Sequence, residues 1–210
     1  MIIAVDGPTA SGKGTIARAL AAHFGLPHLD TGLLYRAVGY QCARDGGEPN
    51  SLADALAACA FPDSLLQEPE LRSETTGALA SRVSVHPAVR QALYHRQRAF
   101  AEEPGGGVLD GRDIGTVIAP DADVKLFVTA SVAARAQRRF AEMRSQGREV
   151  MLDDIAADIV RRDARDMNRA DAPLKAAADA IVFDTTSFGR EEAIAAAIET
   201  VEEALGSDRT

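Results

Sequence analysis

Residues 2–20 read IIAVDGPTASGKGTIARAL, and the pattern of these residues indicates the fold class of the chain. Its first part, Ile2–Val5, is a short apolar run of the kind that forms a strand buried on both faces. From Lys13 onward the apolar residues recur at helical spacing, at Ile16, Ala17, Leu20 and Phe24. The sequence therefore predicts a buried strand, a glycine-rich loop and a helix in direct succession.

The loop between this strand and this helix follows the P-loop pattern G-x4-G-K from Gly7 to Lys13. Small residues allow backbone N–H groups to approach a ligand closely, and the N-terminus of a helix favours an anion. Lys13 adds a mobile positive charge, so we expect it to be catalytic. The alternative is an ordinary glycine-rich turn whose lysine is only solvated. The residues expected to bind cofactor phosphates are Gly7, Pro8, Thr9, Ala10, Ser11, Gly12, Lys13, Gly14 and Thr15.

The residue after the P-loop lysine is Gly14, where the pattern commonly has a Ser or Thr that binds magnesium. Thr15 follows one position later. Without a hydroxyl at the usual position, Mg²⁺ would be held mainly by phosphates and water, as it often is. We therefore assign no residue of this chain as a metal ligand.

The composition limits the kinds of protein that this chain can be. With 210 residues, of which 46% are hydrophobic, it can build one sizeable core. The net charge of −8 argues against a broad surface for nucleic acid. No apolar run is long enough to span a bilayer, and no signal peptide is evident. We expect a cytoplasmic protein that binds neither nucleic acid nor membrane.

Cysteines and histidines give no sign of a metal site. Cys42 and Cys59 fit no zinc or redox spacing, so we interpret them as buried thiols in a reducing compartment. The histidines show no ligand spacing either and are interpreted as structural or surface residues: His23, His28, His86 and His95.

The basic residues are unevenly distributed. Only three of them are lysines, and nine of the twenty arginines lie between Arg135 and Arg169. A GC-rich genome would explain a preference for arginine but not this clustering. Because guanidinium groups match phosphate oxygens bidentately, the cluster indicates a local site for a polyanion.

The rest of the chain alternates between apolar runs and helical patterns. Further strands are predicted at Pro27–Asp30, Val108–Asp110, Val124–Val128 and Ala180–Phe183. Helices are predicted at Leu33–Arg44, Leu52–Ala60, Leu71–Val83, Val89–Ala101, Val132–Met143, Leu152–Arg165 and Glu191–Leu205. Apolar strands that alternate with helices predict an α/β fold with a five-stranded parallel sheet and helices on both faces. Ligands of such sheets lie at the carboxyl ends of the strands.

Three segments beyond the P-loop carry polar residues suited to chemistry. LDTGLLYR places Thr31 and Arg36 after the second strand, although Asp30 or Thr31 could simply cap a helix. LDGRDIGT places Arg112 and Asp113 after the third strand, where the alternative is a plain surface turn. In RRDARDMNR, we expect one helical face to carry Arg162, Asp166 and Arg169, with a solvated ladder of ion pairs as the alternative.

These four segments, in this order, resemble those of the bacterial cytidylate kinases, which belong to the nucleoside-monophosphate kinases. The resemblance runs from Ile2 to about Leu205 and includes VHPAVRQALYHRQRAF and VIAPDADVKLF. It implies one P-loop kinase domain over residues 1–210, with a helical monophosphate-binding insert at about 36–103 and a short lid at about 144–165. It also implies a monomer that uses ATP with Mg²⁺ to convert CMP or dCMP into CDP or dCDP.

The resemblance also implies a role for each matched residue. Gly7 to Thr15 would hold the ATP phosphates, and Thr31 would lie near the monophosphate. The CMP phosphate would be bound by Arg36, Arg112 and Arg169, and the cytosine would be read by Ser81, Arg90 and Asp113. Arg162 and Asp166 would contact the ribose hydroxyls. Lys13, Arg112, Arg162 and Arg169 would be the catalytic cations, and Arg135, Arg138 and Arg139 would lie near the lid and the ATP.

One segment departs from the pattern of the family. Members often have antiparallel strands in the insert, but the residues from Phe61 to Ser73 are too few and too rich in proline to form them. We therefore expect an abbreviated insert, which affects the position of Ser81 more than it affects the chemistry.

Three other functions compete with this interpretation. The nearest is another small-molecule P-loop kinase, for UMP, AMP, shikimate or the coenzyme A precursor. A GTP-binding switch usually carries an N-K-x-D motif, which the sequence lacks. A nucleic-acid-binding ATPase is disfavoured by the acidic charge, and Asp110 is followed by Gly111 rather than by a second acidic residue.

Overall fold

The computed structural model describes residues 1–207. The chain divides into two units. The first unit comprises Met1–His28 together with the chain from Glu103 onward, and the second unit comprises Leu29–Glu102. The prediction of a single kinase domain with an insert at about 36–103 and a lid at about 144–165 stays a prediction.

A five-stranded parallel sheet confirms the predicted fold class. Its strands are β1 (Ile2–Asp6), β2 (His28–Asp30), β3 (Gly107–Gly111), β4 (Val124–Thr129) and β5 (Ile181–Asp184). They lie in the order β2-β3-β1-β4-β5, so β1 is central. Its register places Ile3 beside Val108 on one side and beside Val124 on the other. The carboxyl ends of β1 and β3 are therefore neighbours, with Asp6 opposite Gly111.

Within residues 1–207, eight α-helices follow the predicted order. They are α1 (Lys13–Phe24), α2 (Thr31–Arg44), α3 (Leu52–Ala57), α4 (Glu74–Val83), α5 (Pro87–Ala101), α6 (Val132–Ser145), α7 (Leu152–Met167) and α8 (Arg190–Ser207). Short 3-10 segments cover Ala58–Ala60, Asp63–Gln67 and Pro69–Arg72, and a single turn of π-helix covers Ile114–Ile118. Among residues 1–207, no helix has both the length and the apolar character needed to cross a membrane.

The core of the first unit forms because the central strands are apolar along their whole length. Ile3, Val5 and Leu126 are almost completely buried, and α1 and α8 pack against each other with Leu20 and Val201 in the same cluster. Burying side chains of this size contributes about 1.5–3 kcal/mol each to folding. This core holds rigid the strand ends from which the P-loop and the turn after β3 emerge.

The second unit has its own core between α2 and the helices that follow it. Leu34, Val38 and Leu93 are buried there together with Leu71. The stretch from Phe61 to Ser73 forms 3-10 turns and contains no strand, which agrees with the expected abbreviation of the insert.

Two predictions about these elements need correction. Helix α7 ends at Met167, so Arg169 does not continue the helical face of Arg162 and Asp166. Asn168 closes this end of the helix, because its backbone N–H at 3.1 Å and its side-chain Nδ2 at 2.7 Å both donate to the carbonyl of Ala164. Strand β5 is also less buried than its apolar sequence predicts, because it lies at an edge of the sheet and Val182 is 62% exposed.

Candidate active site

The P-loop leaves the central strand through a close backbone contact. A Cβ atom at Gly7 would lie 2.1 Å from the carbonyl oxygen of Val128, so only glycine fits there. Helix α1 then begins at Lys13 with no side-chain cap and no acidic residue in its first turn. The positive end of the helix dipole is therefore available to an anionic ligand. Lys13 itself donates from Nζ to the carbonyl of Pro8 at 3.4 Å.

Two arginines of α6 hold the carbonyl groups of the P-loop. Arg135 donates to the carbonyl of Thr9 at 3.2 Å, and Arg138 donates to the carbonyl of Ser11 at 3.4 Å. The hydroxyl of Thr185 also lies 3.1 Å from the carbonyl oxygen of Ser11. Because these contacts hold the loop through its carbonyls, they stabilise it without using its N–H groups.

The side chain of Ser11 is an unpaired polar group in this loop. Ser11 is completely buried, and its Oγ has no hydrogen-bond partner within the described residues 1–207. A buried hydroxyl without a partner is costly, so a phosphate oxygen or water is a suitable partner here. The loop therefore fits the phosphates of a nucleotide.

A cavity of about 710 Å³ lies beside the P-loop in the first unit. Its wall combines the P-loop, the start of α1, the exposed side of α6 and the segment after β5, and includes Ser11, Thr15, Arg18, Arg138, Arg139, Thr185 and Phe188. This volume lies in the range of about 300–1,000 Å³ that is usual for ligand pockets. Of the three arginines expected near ATP, Arg138 and Arg139 line the cavity, whereas Arg135 is buried in an ion pair with Asp163.

A carboxylate lies next to the P-loop position that lacks a hydroxyl. A Cβ atom at Gly14 would lie 3.6 Å from Oδ2 of Asp110, whose Oδ1 contacts Nε2 of His28 at 2.7 Å. Carboxylate oxygen suits Mg²⁺, and the absent side chain of Gly14 leaves room for its water shell. These residues therefore fit a magnesium ion held by phosphates and water. The described residues contain no cluster of three His, Cys, Asp or Glu side chains that could hold a metal without phosphates.

The turn after β3 carries two of the predicted substrate residues. Arg112 and Asp113 lie between the end of β3 and the π-helical turn Ile114–Ile118. Asp6, the last residue of β1, accepts the N–H of Ile114 on Oδ1 and the N–H of Gly115 on Oδ2, both at 2.8 Å. This turn is thereby joined to the residue that immediately precedes the P-loop.

Three of the predicted residues lie close together in the first unit. Arg112 donates from Nε to Oδ2 of Asp166 on α7. Burial lowers the pKa of Arg162, and the positive charge of Arg112 lowers it further. Two guanidinium groups that repel each other beside one carboxylate favour a site for an additional anion.

Arg169 lies beyond this helix, in the segment that follows it. Its Nη2 donates to the carbonyl of Ala172 at 2.7 Å, and its Nε is buried. The backbone of Leu174 returns to the end of α7, where its N–H donates to the carbonyl of Asp166 at 2.9 Å.

The second unit contains the other four predicted residues. Asp30 caps α2 by accepting the N–H of Leu33 at 3.3 Å, so Thr31 is the first residue of the helix rather than its cap. Nη1 of Arg36 donates to the carbonyls of Leu71 and Ser73, each at 2.8 Å. Ser81 lies on α4, and Arg90 is buried on α5.

Sequence reasoning missed several residues that shape the site. Thr185 and Phe188 line the cavity, and their position directly after β5 is the signal that could have identified them. The contacts of Asp6 with the turn after β3 leave no local pattern, because its partners lie 108 and 109 residues away.

Sequence comparison identifies the family. The sequence model of the family described as Cytidylate kinase matches residues 3–203. A protein of Azorhizobium caulinodans named Cytidylate kinase is 52% identical over 206 residues, which cover 98% of this chain and 100% of that protein. A protein of Methylocella silvestris with the same name is 54% identical over 213 residues, which cover 100% of this chain and 97% of that protein.

Structural comparison supports the fold alone. An uncharacterized protein from Eubacterium ventriosum superposes with a TM-score of 0.55 and 16% identity, over 99% of this chain and 98% of that protein. The full-length match to the family, on a parallel sheet with a P-loop at the end of its central strand, leads to one conclusion. The chain belongs to the cytidylate kinase family.

Proposed function

We propose that this chain transfers the γ-phosphoryl group of ATP to CMP or dCMP, giving ADP and CDP or dCDP. The observation that carries the proposal is the P-loop, held by its carbonyls beside a cavity of about 710 Å³ in a chain of this family. The match of motifs and the contacts of each residue support the proposed roles of individual residues, of magnesium and of the monomeric state.

ATP is proposed to bind with its phosphates on Gly7–Thr15 and its base in the cavity of the first unit. The N–H groups of the loop and the amino group of Lys13 supply positive charge to the β- and γ-phosphates. Arg138 and Arg139 border the cavity, and Phe188 offers an apolar face to a purine. Bound magnesium would neutralise phosphate charge, and Asp110, which lies beside Gly14, is the carboxylate that would accept hydrogen bonds from its water shell.

The phosphate of CMP is proposed to bind to Arg112, Arg169 and Arg36. Arg112 is held by Asp166, which keeps its guanidinium ordered before the substrate arrives. The nucleophile is an oxygen of the CMP phosphate, so no side chain has to be activated. Catalysis then consists of aligning the two nucleotides and neutralising their charge, and Lys13, Arg112, Arg162 and Arg169 supply that charge.

Cytosine is proposed to be read by Asp113, Arg90 and Ser81. The cytosine N4 amino group is a donor, which the carboxylate of Asp113 can accept, whereas N3 and O2 are acceptors for Arg90 and Ser81. Uracil has a carbonyl in place of the amino group and would face a carboxylate. Such a mismatch leaves buried polar groups unpaired and disfavours the wrong base strongly.

The ribose hydroxyls are proposed to contact Arg162 and Asp166, and Thr31 is proposed to lie near the phosphate. The segment at about 144–165 is proposed to close over both nucleotides, which excludes water and prevents hydrolysis of ATP. Gly147 lies in its connecting loop, between α6 and α7, with a φ of +75°. The chain is proposed to act as a monomer in the cytoplasm.

A steady-state assay with a panel of acceptors tests the proposal and separates it from other P-loop kinases. ATP with Mg²⁺ is kept constant while CMP, dCMP, UMP, AMP and shikimate are compared by kcat/KM. We expect CMP and dCMP to exceed UMP and AMP by at least about a hundredfold, since a site that pairs with a base rejects one lacking the matching groups. Equal rates with UMP or AMP would contradict the proposal.

A further inference from the structure

The carboxylate of Asp6 is buried at the junction between the P-loop and the turn that carries Arg112 and Asp113. Asp6 is the last residue of β1 and only 5% exposed, and Gly7 of the P-loop follows it directly. Each of its two carboxylate oxygens accepts one backbone N–H, from Ile114 and from Gly115 at 2.8 Å. The carboxylate of Asp6 has no assigned role in the binding of ATP or CMP.

These two hydrogen bonds determine where the turn after β3 begins. The π-helical turn Ile114–Ile118 has no side-chain cap of its own from Asp113. The N–H groups of Ile114 and Gly115 are at its start, and both are satisfied by Asp6. Removing a buried acceptor from two N–H groups leaves both unpaired, which costs far more than the bonds contribute.

Gly115 lies between the carboxylate of Asp6 and the side chain of Lys125. A Cβ atom at Gly115 would lie 3.5 Å from Oδ2 of Asp6 and 3.2 Å from Cδ of Lys125. The second of these distances is shorter than an ordinary van der Waals contact. The turn is therefore packed against Asp6 on one side and against the aliphatic part of Lys125 on the other.

We propose that Asp6 is a positioning residue for the acceptor nucleotide, acting through the turn that carries Arg112 and Asp113. The inference rests on the proposed function, because it requires that these two side chains contact the acceptor. Asp6 itself contacts neither nucleotide. Its carboxylate fixes the backbone directly after Asp113, so that both side chains leave β3 in one orientation relative to the P-loop.

Two properties of this arrangement predict an effect on the acceptor rather than the donor. The P-loop is held independently by Arg135 and Arg138 through the carbonyls of Thr9 and Ser11. The two N–H groups at the start of the turn, in contrast, both donate to the carboxylate of Asp6. Loss of the carboxylate should therefore displace Arg112 and Asp113, which are proposed to bind the acceptor nucleotide, before it disturbs the P-loop.

The test compares Asp6→Asn with a matched control, Asp123→Asn, in the full chain with Mg²⁺ and ATP at about pH 8, which is above the pKa of Asp6 of about 7, so that its carboxylate is charged. Asp123 accepts the N–H of Ile2 at 2.6 Å and so binds the opposite end of the same strand. In Asp6→Asn, one oxygen becomes an NH2 group that faces a backbone N–H donor. We expect KM for CMP to rise by about tenfold or more, and KM for ATP to stay within about twofold, because a hydrogen bond to a charged group typically contributes a factor of this size. In Asp123→Asn, both constants should stay unchanged.

Hydrogen exchange without nucleotide provides a second readout that does not depend on activity. We expect the amides of Ile114 and Gly115 to exchange faster in Asp6→Asn than in Asp123→Asn. If Asp6→Asn fails to fold, Asp6→Glu retains the carboxylate but displaces it by one methylene from the N–H groups of Ile114 and Gly115, and it should raise KM for CMP selectively as well.

Four results separate the possible failures. An equal rise of both KM values, or unchanged exchange at Ile114 and Gly115, would overturn the positioning role of Asp6. A selective rise for ATP would overturn it as well. If the wild-type chain phosphorylates no CMP, the proposed function fails, and the acceptor role of Asp6 fails with it, whereas the exchange rates still report on the contact itself.

Discussion

Arg135 on α6 and Asp163 on α7 form a buried ion pair with two hydrogen bonds, of 2.5 and 3.0 Å. The same guanidinium donates to the carbonyls of Ala130 and Thr9, so each of its three nitrogens donates a hydrogen bond. One arginine therefore connects the P-loop to the helix that carries Arg162 and Asp166. Because Arg135 is only 4% exposed, this pair is shielded from solvent, unlike a pair on the protein surface.

Removing Asp163 should destabilise the fold. Asp163→Ala leaves a buried guanidinium without its counter-ion, and we expect the free energy of unfolding to fall by about 3–5 kcal/mol. The control is Asp158→Ala on the same helix, where Asp158 forms an exposed pair with Arg161 at 3.4 Å. That variant should lose at most about 1 kcal/mol. Urea unfolding followed by circular dichroism measures both, and equal losses would contradict a structural role for the buried pair.

Lys13 should be needed for catalysis and not for folding. In Lys13→Ala, we expect kcat/KM to fall by about a hundredfold or more while the circular dichroism spectrum stays the same, because the lysine faces charge that develops in the transition state. Lys175→Ala is the matched control, since Lys175 is exposed and lies outside the P-loop. Activity of Lys13→Ala within about threefold of the wild type would rule out this role for the lysine.

Asp113 should determine the choice of base. In Asp113→Asn, the amide can turn either its donor or its acceptor towards the base, so selectivity should decrease. We expect kcat/KM for CMP to fall and that for UMP to fall less or to rise, which changes their ratio by about tenfold or more. If both substrates lose activity equally, Asp113 supports Arg112 instead, and Arg90 and Ser81 become the candidates for base reading.

Burial of Asp6 should make the stability of the protein depend on pH. Burial raises the pKa of Asp6, the hydrogen bonds from Gly115 and Ile114 lower it in part, and the charges of Asp113 and Lys13 act in opposite directions, so that the resulting pKa is about 7. Between about pH 4 and pH 7 the folded chain therefore holds a proton that the unfolded chain has lost. The contribution of Asp6 is present at low pH and is lost as the pH rises through about 7.

Urea unfolding at several pH values checks this dependence. The free energy of unfolding of the wild type, relative to that of Asp6→Asn, should decrease as the pH rises from about 5 to 7. The slope should approach about 1.4 kcal/mol per pH unit in the middle of this range. Asp123→Asn should instead follow the wild type. Parallel curves for wild type and Asp6→Asn would show that Asp6 does not titrate in this range.

The sheet could be predicted closely from the sequence because its signal is local. Each of β1, β3 and β4 is an apolar run of a few residues, and the structure extends the predicted bounds by only one residue at an end. The P-loop could be predicted for the same reason, since the strand, the glycines and the helix are contiguous. Arg169 was misplaced because helical spacing continues past Met167, and the pattern contains nothing that ends the helix except Asn168.

The remaining features depend on contacts between distant parts of the chain. The π-helical turn forms where Asp6 accepts from residues more than a hundred positions away, and no local pattern encodes such a contact. Asp163 could be interpreted from sequence as part of an exposed ladder of charges, yet it is paired with Arg135, 28 residues earlier. The sequence shows which residues carry charge, whereas the burial of these residues and their partners are visible only in the structure.

Transfer of the γ-phosphoryl group from ATP to CMP is tested most directly by following the phosphorus nuclei during the reaction. Phosphorus-31 NMR of a mixture of the chain, ATP, Mg²⁺ and CMP resolves ATP, ADP, CDP and inorganic phosphate at the same time. We expect CDP and ADP to appear in equal amounts, inorganic phosphate to stay near its background level, and ATP to be stable without CMP. Release of inorganic phosphate without CDP would contradict this expectation, because the chain would then hydrolyse ATP rather than transfer its phosphoryl group.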